Sequence, residues 1–218
     1  MDIYVIGTEL QVAEIGNKIS EGHTLKLIDD VNEINASNEV AVFDFIFDDS
    51  PDDLERYAGF SNVNLFINST RISLTELTFF AGAPQFNLYG MAGDPTFLER
   101  PILEISAHYQ NKNNTEDLLA KLGIESIIVN DRVGMVTPRI IAMIINEAYF
   151  TVMEGTASRE DIDTGMRLGT NYPMGPFDWA GKWGIGNIYD LLESLYLDTK
   201  DERYKISPLL KQEYLQQS

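Results

Sequence analysis

Few side chains in this 218-residue sequence can carry chemistry, and their types narrow what that chemistry is. There is no cysteine, which excludes a thiol nucleophile, a cysteine-ligated metal and a disulfide scaffold. The chain has two histidines, His23 and His108, to weigh as acid–base groups beside its carboxylates. Gly7 closes the apolar run Asp2-Ile3-Tyr4-Val5-Ile6, the place where a dinucleotide site needs backbone to approach a pyrophosphate at a helix N-terminus. Such a loop reads G-x-G-x-x-G, whereas this stretch is Gly7-Thr8-Glu9-Leu10-Gln11-Val12, with Glu9 where the second glycine belongs. A side chain there blocks close approach, and a carboxylate repels two phosphates. Asp29 follows about twenty residues on, where a ribose-binding acid is expected. His108 lies four residues after Glu104. On one strand that separation is about 13 Å, too far for the hydrogen bond that orients a base. His108 is thus expected at the surface, leading into the polar loop Gln110–Thr115, and His23 sits beside Gly22 in a turn. The run Asp48-Asp49-Ser50-Pro51-Asp52-Asp53 can offer oxygens to a hard cation. It lacks the glycine and terminal glutamate of a calcium loop, and aspartates also suit a helix start, the better reading. No metal is expected.

These residues sit in a chain whose formal charge is −18, from 34 acidic and 16 basic side chains. So acidic a surface repels phosphate backbones and anionic lipid, which argues against nucleic-acid and membrane partners. No apolar run approaches the roughly 20 residues of a membrane helix. Met1-Asp2 leads into a strand-like run without a basic region, so the cytoplasm is the expected compartment. The charge is uneven: 7 basic against 21 acidic residues leave −14 over 1–130, while 9 against 13 leave −4 over 131–218. The apolar pattern changes at the same place, which predicts domains at 1–131 and 132–218.

The first part alternates strands and helices. Residues 2–7, 24–29, 40–47, 64–68 and 86–89 form short β-rich runs, with further strands at 102–107 and 127–129. Helical spacing separates them from Leu10 towards Gly22 and over Glu116–Leu122. Strands joined by helices predict right-handed crossovers and a parallel sheet. The second part is predicted all-helical. Thr137-Pro138 reads as an N-cap followed by proline at the first helical position. The stretch Ile140-Ile141-Ala142-Met143-Ile144-Ile145 is apolar on nearly every face, which requires burial all round. A lone helical domain with so apolar a first helix predicts packing against a second copy, hence a homodimer. Ser158 with Asp161 starts another helix ending at Gly169, and helices follow over 187–197 and 208–215. Pro173 and Pro176 flank Met174-Gly175 and predict a tight turn between helices. Trp179 and Trp183, four apart, read as core or dimer seam.

The segment SREDIDTGMRLGTNYPMGPFDW, from Ser158 to Trp179, resembles the C-terminal domain of NAD-dependent 3-hydroxyacyl-CoA dehydrogenases, where "EDID…G…YPMGPF" recurs. The upstream VNDRVGMVTPRIIAMIINEAY is similar to the same family's "D-x-x-G-F-x-x-N-R" entry into a long helix. The resemblance is strong over 126–197 and faint over 1–110. It implies an α/β plus α chain: a shortened Rossmann-like N-terminal domain, then an all-helical dimerisation domain like the C-terminal one of 6-phosphogluconate dehydrogenase. It also implies an oxidoreductase of fatty-acid metabolism, NAD as cofactor and an acyl-CoA ligand. On its pattern Glu104, within Pro101-Ile102-Leu103-Glu104-Ile105, matches the glutamate that pairs with the family's catalytic histidine. The family's serine falls within Asn68-Ser69-Thr70-Arg71-Ile72-Ser73, where Ser69 and Ser73 both stand as candidates and Ser73 is carried forward. Gly7, Asp29 and Asn68 are the cofactor-side candidates. Three positions depart from the pattern. Glu9 replaces a loop glycine. Ala92 stands twelve residues before Glu104, at the histidine's place, and Pro138 replaces the asparagine before Arg139. The alternative implied is a non-catalytic homodimeric relative that binds an acyl-type ligand or a protein partner.

Overall fold

The computed structural model describes residues 1–47 and 51–217, so Asp48, Asp49 and Ser50 of the acidic run lie outside the described residues. The chain forms two compact units, one of Met1–Gly93 with Phe97–Met135, the other of Asp94–Thr96 with Val136–Ser218.

In the first unit β1 (Asp2–Ile6) runs into α1 (Glu9–Gly16), followed by β2 (Thr24–Ile28), β3 (Val40–Asp44) and α2 (Pro51–Glu55). Then come β4 (Val63–Asn68), α3 (Leu74–Ala81), β5 (Asn87–Met91), β6 (Leu103–Ala107), α4 (Thr115–Leu122) and β7 (Ser126–Ile128). The strands make one sheet in the order β2-β1-β3-β4-β5-β6-β7. Its β2-β1-β3-β4-β5 part is the doubly wound order 3-2-1-4-5-6 without the outermost strand, so a shortened Rossmann-like sheet is what forms. Both faces are covered, and the central strands are accordingly apolar throughout: Val40, Ala41, Val42 and Phe43 of β3 are all buried.

Two details depart from the sequence expectations. The sheet is not wholly parallel, because β6 pairs antiparallel with β5, Gly90 opposite Ser106. No helix occupies residues 92–102, and without a crossover helix the chain returns beside the strand it left. The third strand stops at Asp44 rather than Phe47. Asp44 Oδ1 accepts the Ile46 N–H at 3.0 Å and turns the chain, while Oδ2 accepts the Tyr57 hydroxyl at 2.8 Å. Burial pushes the pKa of Asp44 up and, more strongly, that of Tyr57.

The second unit contains α5 (Thr137–Met153), α6 (Arg159–Gly169), α7 (Pro176–Trp183), α8 (Ile185–Thr199) and α9 (Pro208–Gln217). Thr137 is already helical. Val136 takes the cap position without a side-chain bond, and Pro138 lies in the first turn, where its missing N–H costs nothing. The expected all-round burial of α5 is not met within the chain. Ile141, Ala142, Ile145, Ala148 and Tyr149 are buried, but Ile140 is 51% exposed. Among the described residues no helix is long and apolar enough to cross a membrane.

The turn at Met174-Gly175 has a mechanical explanation. Ser158 Oγ caps α6, and the buried Asp163 one turn later accepts the N–H groups of Phe177 and Asp178 at 2.8 and 3.1 Å. These are first-turn donors of α7 that would otherwise lack partners. A β-carbon on Gly175 would overlap the Asp163 carboxyl group, so the position requires glycine. Trp183 is buried in this layer, as its core reading implies. Gly175→Ala is expected to lower the unfolding free energy by about 1–3 kcal/mol, the usual cost of overpacking, as read from urea denaturation.

Candidate functional site

The C-terminal ends of β1, β3, β4 and β5 share one edge of the sheet, and the order reverses between β1 and β3. Ligands of open α/β sheets settle in the crevice at such a point. Gly7 leaves β1 there, with Phe45 Cβ 3.3 Å from where its own β-carbon would lie. Thr8 then caps α1, and Gln11 folds back over Gly7. Gln11 Oε1 accepts both the Thr8 N–H at 2.9 Å and the Thr8 hydroxyl at 3.1 Å, while Thr8 Oγ1 accepts the Gln11 N–H at 3.3 Å. The capping box is complete.

That geometry decides the fit of a dinucleotide. A pyrophosphate needs bare backbone over Gly7 and first-turn N–H groups open to it. Here the amide of Gln11 covers Gly7, the cap takes two of the donors, and the exposed Glu9 carboxylate stands in the first turn. Asp29 is exposed at the end of the edge strand β2, and its N–H donates to Glu33 Oε1 at 3.0 Å. The residues present do not fit a dinucleotide diphosphate.

A second group gathers where β4, β5 and β6 meet. Asn68, paired with Met91, accepts the Gly93 N–H through Oδ1 at 3.1 Å and so holds the chain leaving β5. Ser69 donates its N–H to Met91 O at 3.2 Å. Ala92 donates to Glu104 O at 3.3 Å, so the hairpin puts these two residues, twelve apart in sequence, side by side. Glu104 is 6% exposed with Arg100 Nη1 3.6 Å away. Along β6 the residues Leu103, Ile105 and Ala107 pack into one core layer, while Glu104, Ser106 and His108 alternate to the other face. A β-carbon on Gly90 would overlap Ser69 Oγ and Ser106 Oγ, which makes glycine obligatory where these two serines converge.

The structure therefore brings Asn68, Ser69, Ala92 and Glu104 together, and leaves Gly7 two strands away and Asp29 at the sheet edge. Ser73 caps α3, its Oγ accepting the Glu76 N–H at 3.1 Å, so its oxygen serves the helix. Asp131 completes that cap by accepting the Leu74 and Thr75 N–H groups at 2.7 and 2.9 Å. Gln11, Arg100 and Ser106 escaped the sequence reading, and Asp131 entered it only as the first residue of the D-x-x-G-F-x-x-N-R pattern. Of the three that escaped, Gln11 left a usable signal, the Thr8-x-x-Gln11 spacing of a capping box. Of the acidic run, Asp52 and Asp53 fall in the first turn of α2, with Asp53 3.8 Å from Arg56.

His108 is not a surface residue. It is 1% exposed beneath α3, because the buried alternation of β6 continues one residue past the strand. Its Nε2 lies 3.1 Å from Thr78 Oγ1, whose own hydrogen goes to Leu74 O at 2.9 Å, so Nε2–H is the donor by assignment from the network. Nδ1 is buried with no partner. Burial lowers the His108 pKa, against a smaller opposing pull from Asp131. Its folded pKa thus lies below the unfolded value of about 6.5, and the unfolded chain binds the extra proton first as pH falls. Stability from this group is full above that value and is lost as pH drops through it. Urea midpoints at pH 7.5 and 5.5 are expected to differ less in His108→Gln than in the parent chain.

Comparison with known proteins places these observations. Residues 134–217 match the family described as 3-hydroxyacyl-CoA dehydrogenase, C-terminal domain. A probable 3-hydroxybutyryl-CoA dehydrogenase of Bacillus subtilis is 30% identical over 210 residues, spanning 94% of this chain and 71% of that protein. The 3-hydroxyadipyl-CoA dehydrogenase of Escherichia coli is 44% identical over 100 residues, which is 46% of this chain but 21% of its own length. In fold, the chain superposes on the (S)-3-hydroxybutyryl-CoA dehydrogenase PaaH1 of Ralstonia eutropha with a TM-score of 0.74 at 20% identity, covering 99% of this chain and 94% of that one.

Proposed function

The chain belongs to the 3-hydroxyacyl-CoA dehydrogenase family, and from that membership we propose that it is a cytoplasmic, acyl-CoA-directed relative that does not turn over with NAD. The observation that carries this reading is the turn after β1, closed by Gln11 over Gly7 and guarded by Glu9. A second observation points the same way. The residue held beside Glu104 is Ala92, whose methyl group can neither take nor give a proton. Removing a positioned general base usually costs about 10²–10⁴ in rate. Ligand recognition is a different matter, because an acyl-CoA thioester can be held without either group.

One observation favours a second reading, an active dehydrogenase. Glu104 is retained and buried at the start of β6, beside the chain that leaves β5. Fluorescence titration with NADH and calorimetric titration with acetoacetyl-CoA separate the two. The expected result is heat from acetoacetyl-CoA, no change in NADH emission and no NADH oxidation with both present. Turnover that disappears in Glu104→Ala sinks the proposal. The double variant Glu9→Gly, Gln11→Ala uncovers the turn, and it is expected to bind NADH where the parent chain does not.

A further inference from the structure

We propose that the outer face of α3, together with a notch between α2 and the turn after α3, docks a basic amphipathic helix of another protein. This does not rest on the functional reading, since it concerns the sheet unit alone. Phe79 and Phe80 are 80% and 65% exposed, their rings edge to face at 5.2 Å. Both lie away from Leu74, Leu77 and Thr78, the side of α3 that is buried. Two adjacent phenylalanines left in water bury little, and a contiguous exposed apolar patch marks an interaction site. The helix that presents them is held firmly. Ser73 and Asp131 satisfy its first turn, and Thr78 Oγ1 is bonded to Leu74 O at 2.9 Å on the buried side. The notch, of about 170 Å³, begins at Ala81, the residue after Phe80. It is lined by Leu54 and Glu55 of α2 on one side and by Pro84 and Phe86 on the other. Leu54 and Phe86 are buried, so its base is apolar. A β-carbon on Gly82 would meet nothing within 4 Å, so the notch stays open there.

The charges around the patch select its partner. Glu76 precedes the phenylalanines by three and four residues, which puts it on their side of α3, and Glu55 lines the notch. Both are exposed, and among the described residues no ion pair within the chain engages either. No cation stands by to neutralise them. Residues 74–86 contain no lysine or arginine, and over 51–60 the one arginine, Arg56, lies 3.8 Å from Asp53. Residues 1–130 carry −14 in all, so an acidic protein or an anionic bilayer is repelled from this face. A complementary partner brings cations for Glu55 and Glu76 and apolar side chains for Phe79, Phe80 and the notch. Its backbone form follows from the surface it meets. Helices and a turn make this face, with no strand edge to extend, so recognition falls to side chains. That is the helix-in-groove mode, in which anchors one turn apart line one side of the guest helix.

Fluorescence anisotropy of the full chain with three labelled, amidated helical peptides tests this. The first carries leucine and one phenylalanine on one face and lysine on the other. The second has glutamate in place of lysine, and the third has serine in place of leucine and phenylalanine. The first alone is expected to bind at micromolar concentration, with a dissociation constant that rises with salt. Phe79→Ser with Phe80→Ser is expected to raise that constant about tenfold or more. Glu55→Lys with Glu76→Lys is expected to move binding from the lysine peptide to the glutamate peptide. All four side chains are exposed, so neither double variant disturbs the core. Failure of the lysine peptide to bind overturns the proposal. Equal binding of the lysine and serine peptides does so too, as does binding unmoved by the two phenylalanine substitutions. A parent chain whose mass in sedimentation equilibrium drops in Phe79→Ser, Phe80→Ser also overturns it, because a second copy is then the occupant.

Discussion

The small capping box between Thr8 and Gln11 governs how the first unit can be used. A helix N-terminus exposes donors that must be satisfied by water, by a side chain or by an anion. In a dinucleotide-binding sheet the anion is the cofactor, and glycine keeps the approach clear. In this chain the donors are answered from within, by Thr8 Oγ1 and Gln11 Oε1, three residues apart on the same turn. An anion arriving here would have to displace a satisfied side chain and approach the Glu9 carboxylate as well. Satisfaction of the helix start and occupancy by a diphosphate compete for the same few atoms.

The sheet edge around Glu104 is organised by the opposite kind of constraint, close packing. Gly90 exists because Ser69 and Ser106 crowd the space where its side chain would be. Asn68 ties down Gly93, and Ala92 bonds to the backbone of Glu104. The scaffold of a catalytic hairpin is thus in place, with a methyl group at the position that the resemblance assigns to a histidine. Backbone geometry and acid–base chemistry are separable here because the hairpin is held by main-chain bonds and small residues. None of these contacts requires an imidazole.

Much of the architecture was legible in the sequence, since strand and helix periods are local. Residues 2–6, 24–28 and 63–68 are strands where the β-rich runs lie, and the Ser158–Asp161 cap is where its residue types indicate. Several misreadings depended on a partner distant in the chain, whereas the shift of the α5 cap from Thr137 to Val136 is local. The antiparallel direction of β6 follows from a missing crossover, and the burial of His108 follows from α3 lying over it. The early end of β3 is fixed by Tyr57, thirteen residues away from Asp44. At the site, Glu104 and Ala92 could be found by counting. Ser73 could not be told from Ser69, because a capping serine and a buried serine look alike until the helix start is placed.

The motif that carried the family resemblance turns out to encode packing. Asp163 accepts the first-turn donors of α7, Gly175 makes room for that carboxylate, and Pro176 enters the new helix without needing a donor. Within the EDID to YPMGPF stretch, Asp163 and Gly175 are spent on joining α6 to α7, while Asp161 pairs with Ser158 at the start of α6. A segment of this kind reports that the helical unit folds as it does in its relatives, and it is silent on turnover. Fold membership and activity therefore have to be argued from different atoms: the first from Asp163 and Gly175, the second from what stands over Gly7 and beside Glu104. In this chain the former set is complete, while Gln11 covers Gly7 and Ala92 stands beside Glu104.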